Sequence, residues 1–372
     1  MFLNHGSFGA CARPVFDEYQ RLQRDMEHQP VTWLQREADD RLAVARTALA
    51  DFVGCADDEI VYFPNPTTAI NMVAKSLQLE PGDEVLTTDH EYGAMDRTWR
   101  VVCAAAGARW VKVPLPLPIV SIDDVVERVW AARTERTRVL FISHVTSATA
   151  MRFPVDELVR RARAAGILTI VDGAHVPGQL PLHLADLGAD IYTGACHKWM
   201  CGPKGSAFLY ARRDVQHLLR PLVVSWGWEA EAPSASTFVD HHEWQGTRDL
   251  SAFLATPAAI DWTRECAALG VPERCQRLTA DALQRIDELT GLGSVYPEHS
   301  TTWFGQLGVA RLPDVDLPTL KARLYDEYRV EIPVHSFQGQ PLIRVSVADH
   351  TGPDDVDALL AALGALLPQL AR

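Results

Sequence analysis

The sequence contains no long apolar run. No stretch approaches the roughly 18 consecutive apolar residues that indicate a transmembrane helix. The first ten residues, MFLNHGSFGA, have neither the basic region nor the apolar run of a signal peptide. We therefore expect a cytoplasmic protein that does not associate with membranes.

An excess of positive charge is also missing. The formal net charge is −13 at pH 7 and the sequence pI is about 5.4. Nucleic acids and anionic membrane surfaces would repel such a chain, so neither is expected as its main partner. An enzyme that acts on a small molecule fits this composition better.

The seven cysteines are odd in number and show no paired CxxC spacing. This pattern indicates neither a disulfide framework nor a zinc site, and we expect no metal. Internal repeats and low-complexity segments are absent as well. With 372 residues, of which 47% are hydrophobic, the chain can bury a large core, and its length favours two or more domains.

Strand-like and helical patterns alternate through the first part of the chain. The predicted strands are 59–65, 83–89, 108–115, 138–145 and 167–175, and the predicted helices between them are 67–77, 94–107, 122–132 and 155–165. This alternation predicts an α/β fold with a mostly parallel sheet covered by helices. After about residue 262 the pattern changes, which predicts a smaller α+β domain ending in a helix over 353–370.

Polar residues stand at the ends of several predicted strands, where open α/β sheets bind their ligands. Asp172 ends the segment ILTIVD, Lys198 follows DIYTGAC, and Thr67 and Thr68 open a predicted helix. A lysine, a carboxylate and an anion-binding helix start are the groups that pyridoxal phosphate (PLP) requires. Residue spacing alone does not establish PLP as the cofactor.

Several separate motifs carry a resemblance to a known family. They are LNHGSFG (3–9), NPTTAIN (65–71), DHEYGA (89–94), VDGAH (171–175), HKWMCGPKG (197–205), GTRD (246–249) and RVS (344–346). Together they resemble the class V aminotransferases of the fold type I PLP enzymes, and in particular the isopenicillin N epimerase-like branch. Cysteine desulfurases and amino-acid C–S lyases are related to this branch.

The resemblance implies a domain organisation. Residues 1–20 are expected to form an N-terminal active-site segment, residues 21–260 a large PLP-binding domain, and residues 261–372 a small C-terminal domain. A homodimer is also implied.

The resemblance assigns the reactive end of the cofactor to three residues. Lys198 would form an imine with PLP and then shuttle the Cα proton of the substrate. Asp172 would pair with the pyridine nitrogen and keep it protonated. His175 is similar to the residue that binds the phenolic oxygen of the cofactor or the substrate carboxylate.

The cofactor phosphate would be held by small polar groups. Thr67, Thr68 and the backbone N–H groups at the start of their helix suit an anion. His197 resembles a phosphate-contacting histidine of the family, and Thr247 resembles a phosphate ligand that reaches in from the neighbouring subunit.

Two positions leave alternatives open. Related desulfurases often carry serine where this chain has Ala195, so one phosphate ligand is either absent or replaced by Thr193. The residue that stacks on the cofactor ring is expected to be Tyr92, with His90 as the alternative because the motif can be aligned one way or the other.

The substrate side of the site follows from the same resemblance. Arg344 matches the arginine that binds the substrate α-carboxylate, and arginine can offer that group two parallel donors. Asn4, His5 and Gly6 are expected near the substrate. His335 lies in EIPVHSFQGQPLIR (331–344), where desulfurases carry their catalytic cysteine.

A further group of aromatic and histidine residues has no assigned role. It consists of Trp226, Trp228, His241, His242 and Trp244. Either it packs at the dimer interface or it shapes the substrate pocket.

The reaction is predicted mainly from what is missing. The chain has no cysteine after Cys275, which argues against desulfurase chemistry. A C–S lyase acting on a bulky cysteine conjugate needs only Lys198 as its base. An amino-acid epimerase needs a second acid, for which only Tyr92, His90 or His335 are available. We expect the lyase, with epimerisation, transamination and decarboxylation as alternatives, and a scaffold without cofactor is disfavoured.

Overall fold

A seven-stranded sheet forms the centre of the molecule in the computed structural model, which describes residues 1–297 and 300–371. Its strands are β1 (Ile60–Phe63), β2 (Glu84–Thr88), β3 (Arg109–Val113), β4 (Thr137–Ser143), β5 (Leu168–Asp172), β6 (Ile191–Ala195) and β7 (Ala207–Ala211). The strand order is β1-β7-β6-β5-β4-β2-β3. Strands β2, β3, β4, β5 and β6 are parallel to one another, and β7 is antiparallel to its two neighbours, β1 and β6.

Helices cover both faces of this sheet. Those in the first half are α1 (His5–Phe8), α2 (Arg13–His28), α3 (Ala38–Val53), α4 (Pro66–Ser76), α5 (Gly93–Ala106), α6 (Ile122–Ala131), α7 (Val155–Ala164) and α8 (Leu184–Leu187). A π-helix at Thr32–Glu37 precedes α3, and a 3-10 helix at Arg213–Leu218 follows β7. Because helices cover the sheet, every residue of β1, β2, β6 and β7 is buried.

A second, three-stranded antiparallel sheet lies in the C-terminal part. It consists of β8 (Leu307–Arg311), β9 (Val334–Phe337) and β10 (Gln340–Ser346), with β10 in the middle. The helices of this half are α9 (Thr237–His242), α10 (Ser251–Leu254), α11 (Thr256–Ala268), α12 (Val271–Thr290), α13 (Leu317–Tyr328) and α14 (Pro353–Leu370). Helix α12 packs on β8, and α13 packs on α14.

The fold class predicted from the sequence is confirmed. The large sheet is mostly parallel, and the smaller antiparallel sheet follows it in the chain. The predicted division at residues 260 and 261 falls inside α11, and the three-part organisation stays a prediction. In the described part of the chain, no helix combines the length and apolar character needed to cross a bilayer.

The packing below the ends of β5 and β6 leaves no space for a side chain at Gly173. A Cβ atom on this glycine would overlap the ring and hydroxyl of Tyr192 on the neighbouring strand. Tyr192 is itself completely buried, and its hydroxyl contacts Nδ1 of His144 at 3.1 Å. Gly173 therefore allows the chain after β5 to pack directly against the Tyr192 side chain of β6.

We expect Gly173→Ala to lower the free energy of unfolding by about 3 kcal/mol, the cost of overpacking a core. Chemical denaturation of the purified variant measures the loss. Gly166→Ala is the control, because its Cβ would meet no atom within 4 Å and only the positive φ of +68° is unfavourable. Equal losses in the two variants would contradict the close packing at Gly173.

Candidate active site

A cavity of about 210 Å³ opens at the carboxyl ends of β4 and β5. Six of the residues predicted for the cofactor line it: Thr67, Tyr92, Asp172, His175, His197 and Lys198. Eight further lining residues were not predicted: Ser7, Phe8, Asn65, Pro66, Ser143, Val145, Ser147 and Ala174. The cavity thus brings together groups from the N-terminal segment, from the start of α4 and from the ends of neighbouring strands.

Lys198 follows β6 and its side chain is partly buried. Its Nζ lies 3.1 Å from Nε2 of His175. Burial lowers the pKa of Lys198 to about 8; the nearby Asp172 carboxylate opposes this shift and Arg344 adds to it. Roughly a tenth of the amine is therefore unprotonated at pH 7, far more than at the ordinary lysine pKa, and this free amine is the form that acts as a nucleophile or base.

Asp172 ends β5 beside Ser143 of β4, its partner in the parallel register. Its Oδ1 accepts a hydrogen bond from the backbone N–H of Ala174 at 3.0 Å, and Oδ2 accepts none from the residues that the structure describes. Burial raises the pKa of this carboxyl, against the Ala174 hydrogen bond and the charge of Lys198. A buried carboxylate with a free oxygen is suited to a cationic nitrogen.

The start of α4 lies on another wall of the cavity, and a helix start of this kind is suited to an anion. Asn65 caps the helix, and its Oδ1 accepts hydrogen bonds from the backbone N–H (2.8 Å) and the hydroxyl (3.0 Å) of Thr68. Thr67 lines the cavity, whereas Thr68 does not, because its hydroxyl is bound to Asn65. His197 donates its Nδ1 proton to the Ser206 carbonyl (3.0 Å), which leaves Nε2 for the cavity.

Thr193 cannot take over the role of the serine that related desulfurases carry in place of Ala195. Its hydroxyl donates to the carbonyl of Phe208 at 2.7 Å within the sheet, and the side chain is completely buried. The groups that remain as candidates for holding a phosphate are therefore the α4 start and His197.

The two candidates for ring stacking occupy different environments. His90 is completely buried, with its ring nitrogens 2.7 Å from the Thr149 hydroxyl and 2.7 Å from the Leu115 carbonyl. Tyr92 lines the cavity and is 46% exposed. Only Tyr92 can reach a ring held in the cavity from its present position, and its stacking stays a prediction.

Arg344 lies in β10, directly behind the cavity wall. Its Nη1 donates to the Ser147 carbonyl (2.6 Å) and its Nη2 donates to the Ser7 hydroxyl (2.8 Å). The guanidinium is buried, and in the described part of the chain no carboxylate pairs with it and its Nε has no hydrogen-bond partner. Burial lowers the pKa of Arg344 to about 10. A buried cation that has no carboxylate beside it is suited to bind an anionic ligand.

The N-terminal segment holds this arginine in place. Ser7 accepts the hydrogen bond from Arg344 and donates to Oδ1 of Asn4 at 2.5 Å. The amide of Asn4 in turn donates to Glu331 at 2.9 Å. Asn4 therefore acts on the site through Ser7 and does not line the cavity itself.

His5 and Gly6 connect the segment to the lysine loop. His5 Nε2 donates to the Lys198 carbonyl at 2.9 Å, and its ring lies 5.1 Å from that of Trp199. A Cβ on Gly6 would lie 3.0 Å from the Ser346 hydroxyl, so glycine allows close packing here. His335 donates from Nε2 to the Ala148 carbonyl (2.9 Å) and does not line the cavity.

Glu91 is a buried acid that the sequence analysis missed. Its two carboxyl oxygens accept hydrogen bonds from the hydroxyls of Thr88 (2.8 Å) and Ser143 (2.6 Å). Burial raises its pKa to about 8, partly opposed by these hydrogen bonds, and the Asp172 charge adds to the increase. The signal available in the sequence was a glutamate three residues after the end of a strand, inside the motif DHEYGA.

Thr247 lies elsewhere in the chain. It lines a separate cavity of about 780 Å³ together with Trp226, Asp240 and Trp244, and it is not near Lys198. Trp228 stacks on His241 at 4.6 Å. None of the five members of the aromatic and histidine cluster lines the cavity that contains Lys198.

The residues in the cavity fit PLP. The free oxygen of Asp172 suits the pyridine nitrogen, the α4 start suits the phosphate, and the buried amine of Lys198 suits an aldehyde. Fold and site together define a PLP-dependent enzyme of fold type I.

The model of the family "Aminotransferase class-V" matches residues 11–305. The chain belongs to this family. It is 38% identical to isopenicillin N epimerase of Amycolatopsis lactamdurans over 97% of this chain and 94% of that protein. It is 32% identical to a rice (Oryza sativa subsp. japonica) protein provisionally named L-cysteine desulfhydrase 1, over 90% of this chain and 73% of that protein.

Solved structures share the fold at low sequence identity. The cystine C–S lyase C-DES, in complex with cysteine persulfide, has a TM-score of 0.86 and 19% identity, covering 100% of this chain and 98% of that one. The apo cysteine desulfurase of Thermococcus onnurineus NA1 has a TM-score of 0.84 and 18% identity, covering 100% and 95%. The predicted family and cofactor are confirmed.

We expect Lys198→Ala to fold normally but to lose the covalent attachment of PLP, because no other lysine lines the described cavity. Borohydride reduction followed by peptide mass spectrometry locates the attachment. Lys204→Ala is the control, since the exposed Lys204 donates to the Gly9 carbonyl at 2.8 Å and should be dispensable. Cofactor trapped on Lys204 in the Lys198→Ala variant would contradict the assignment.

Proposed function

We propose that this PLP-dependent enzyme cleaves the C–S bond of a bulky cysteine S-conjugate by β-elimination. The observation that carries the proposal is the buried guanidinium of Arg344, which forms no ion pair with any described residue and whose hydrogen-bond partners Ser7 and Ser147 line the cavity with Lys198. An α-amino acid bound there through its carboxylate would have its Cα within the same cavity as the lysine amine.

PLP supplies an electron-accepting ring that stabilises negative charge at Cα. Lys198 removes the Cα proton, for which its lowered pKa is suited. The C–S electron pair then leaves with sulfur as a thiolate, which takes up a proton. The 2-aminoacrylate that remains is released and reacts with water to give pyruvate and ammonia, so no oxidant or reductant is needed.

The residues of the cavity wall favour a substrate with a bulky, uncharged substituent on its sulfur atom. Phe8 and Tyr92 are both lining residues with much exposed ring surface, and Val145 is a third uncharged member of the wall. Apolar groups of this kind favour a hydrophobic substituent over a charged one.

Persulfide chemistry is not supported. None of the described lining residues is a cysteine. Cys196 is near Lys198 in sequence, but it is completely buried and burial raises its pKa to about 12. A thiol with so little thiolate is a poor sulfur acceptor.

Amino-acid epimerisation is the second candidate. The 38% identity to the Amycolatopsis lactamdurans isopenicillin N epimerase supports it, and so does Tyr92, a hydroxyl-bearing residue on the cavity wall that could return a proton. His90 and His335, the other two candidates for the second acid, do not line the cavity.

We further propose that the enzyme is a homodimer in which Thr247 completes the phosphate site of the partner subunit. Thr247 lies away from Lys198 within its own chain, as such an exchange requires. Apolar side chains are exposed nearby, including Val224 and Trp226, the latter 85% exposed. A second subunit would cover this surface.

Arg344→Lys should reduce kcat/KM by about a hundredfold or more, because lysine keeps the charge but loses the paired hydrogen bonds to a carboxylate. Steady-state kinetics with an S-substituted cysteine measure the loss. The comparison compound is the corresponding amine, which lacks the carboxylate. With this compound, the kcat/KM values of the wild type and the variant should differ little. An equal loss on both compounds would contradict carboxylate binding by Arg344.

Reaction in deuterium oxide separates the two candidate reactions. With S-substituted cysteines, the lyase is expected to release free thiol and pyruvate while the remaining substrate stays in one configuration. An epimerase would return deuterium to Cα and produce both enantiomers, because its proton comes from solvent-exchanged groups. Thiol assay, pyruvate assay and chiral chromatography follow all products. Inverted, deuterated amino acid without thiol release would overturn the lyase proposal.

A further inference from the structure

Trp199 directly follows the reactive lysine and is almost completely buried. Its indole Nε1 lies 3.3 Å from Nδ1 of His175. The other ring nitrogen of His175, Nε2, lies 3.1 Å from Nζ of Lys198. One imidazole thus connects the indole N–H of Trp199 to the lysine amine.

The chemistry of these three groups determines where the proton of His175 resides. An indole N–H can only donate a hydrogen bond, so Nδ1 of His175 must accept. A neutral imidazole has one N–H, which is then on Nε2. The opposite tautomer would point two N–H groups at each other in a buried site, which is unfavourable.

The protonated imidazole is disfavoured as well. Burial lowers the pKa of His175 well below its ordinary value, and Lys198, Arg344 and His197 all act in the same direction. The backbone of His175 is held by Gln179, whose amide donates to the His175 carbonyl at 2.5 Å. The ring is therefore neutral, with a restricted orientation.

We propose that Trp199 is a positioning residue that fixes the tautomer of His175, so that the Nε2 proton of His175 is donated to the unprotonated amine of Lys198. An ammonium group has no lone pair and could not accept this hydrogen bond. The arrangement therefore favours the form of lysine that attacks an aldehyde or removes a proton.

This role does not depend on whether the enzyme is a lyase or an epimerase. It concerns the lysine before any substrate is present, and it can be tested on the apoenzyme. Two charged groups act on Lys198 in addition to the neutral His175: Asp172, which favours the ammonium form, and Arg344, which disfavours it. Both are retained in the variants below.

The test is the pH dependence of Lys198 acetylation in apoenzyme treated with trace acetic anhydride. Peptide mass spectrometry compares Lys198 with the exposed Lys75 in the same sample. Wild-type Lys198 should reach half-maximal reactivity near pH 8. In Trp199→Phe the His175 ring can adopt the other tautomer and accept a hydrogen bond from the ammonium group of Lys198. The midpoint of Lys198 acetylation should therefore rise by about one pH unit. Near neutral pH this shift corresponds to a roughly tenfold slower reaction.

Trp99→Phe is the matched control. Trp99 is completely buried, and its indole nitrogen has no hydrogen-bond partner in the described residues, so the substitution removes an equivalent group without touching His175. Its midpoint should equal that of the wild type. An unchanged or lowered midpoint in Trp199→Phe would overturn the proposal.

A double-mutant cycle separates a tautomer effect from a packing effect. In a His175→Phe background, Trp199→Phe should cause no further shift of the Lys198 midpoint. The same shift in both backgrounds would show that Trp199 acts through packing, and the proposal would be wrong.

A measurement on the unsubstituted tryptophan covers the case in which Trp199→Phe does not fold. In apoenzyme labelled with ¹⁵N-histidine, the His175 signals are identified by their loss in His175→Phe. Nitrogen shifts should show a protonated Nε2 and an unprotonated Nδ1. A protonated Nδ1 in the wild type would overturn the proposal irrespective of the kinetic variants.

Discussion

Lowering the pKa of a buried lysine amine towards neutral pH is the condition on which the rest of this site depends. Burial in the cavity destabilises the ammonium form of Lys198, and the guanidinium of Arg344 adds to that effect. Asp172 acts in the opposite direction, so the pKa falls only to about 8. The amine thus stays basic enough to take a proton from carbon while being available as a nucleophile.

The N-terminal segment connects the two charged anchors of the site. Its His5 binds the carbonyl of Lys198, and its Ser7 binds the guanidinium of Arg344. The same segment pairs with the small sheet, where the Leu3 carbonyl accepts from the N–H of Ser346 at 3.1 Å. Because Arg344 belongs to the small sheet and Lys198 follows a strand of the large one, this segment contributes to the distance between these two side chains. Its close packing explains why a glycine stands at position 6.

The parts of the structure that follow from local sequence were predictable. Hydrophobic periodicity places the strands and helices of the large sheet, and parallel strands bring Asp172 and Lys198 to the same edge. The pairing of Ser7 with Arg344 spans 337 positions and has no local signal. His90 and Tyr92 were indistinguishable by spacing, because the chain turns between them, and only the packed structure shows which one lines the cavity. The position of Thr247 relative to a partner cofactor requires a second chain.

The choice of reaction depends on a smaller set of residues than the binding of an amino acid does. Lys198, Asp172 and Arg344 suit any reaction that begins at Cα, which explains why proteins similar to this one have names for different activities. What distinguishes the outcomes is whether a second proton donor reaches Cα before a bond at Cβ breaks. In this cavity Tyr92 is the predicted candidate for that donor, but its ring is 46% exposed and no described residue accepts or donates a hydrogen bond at its hydroxyl. A side chain without such a partner is poorly fixed for stereospecific proton return. Elimination requires no group there, and that difference favours C–S cleavage.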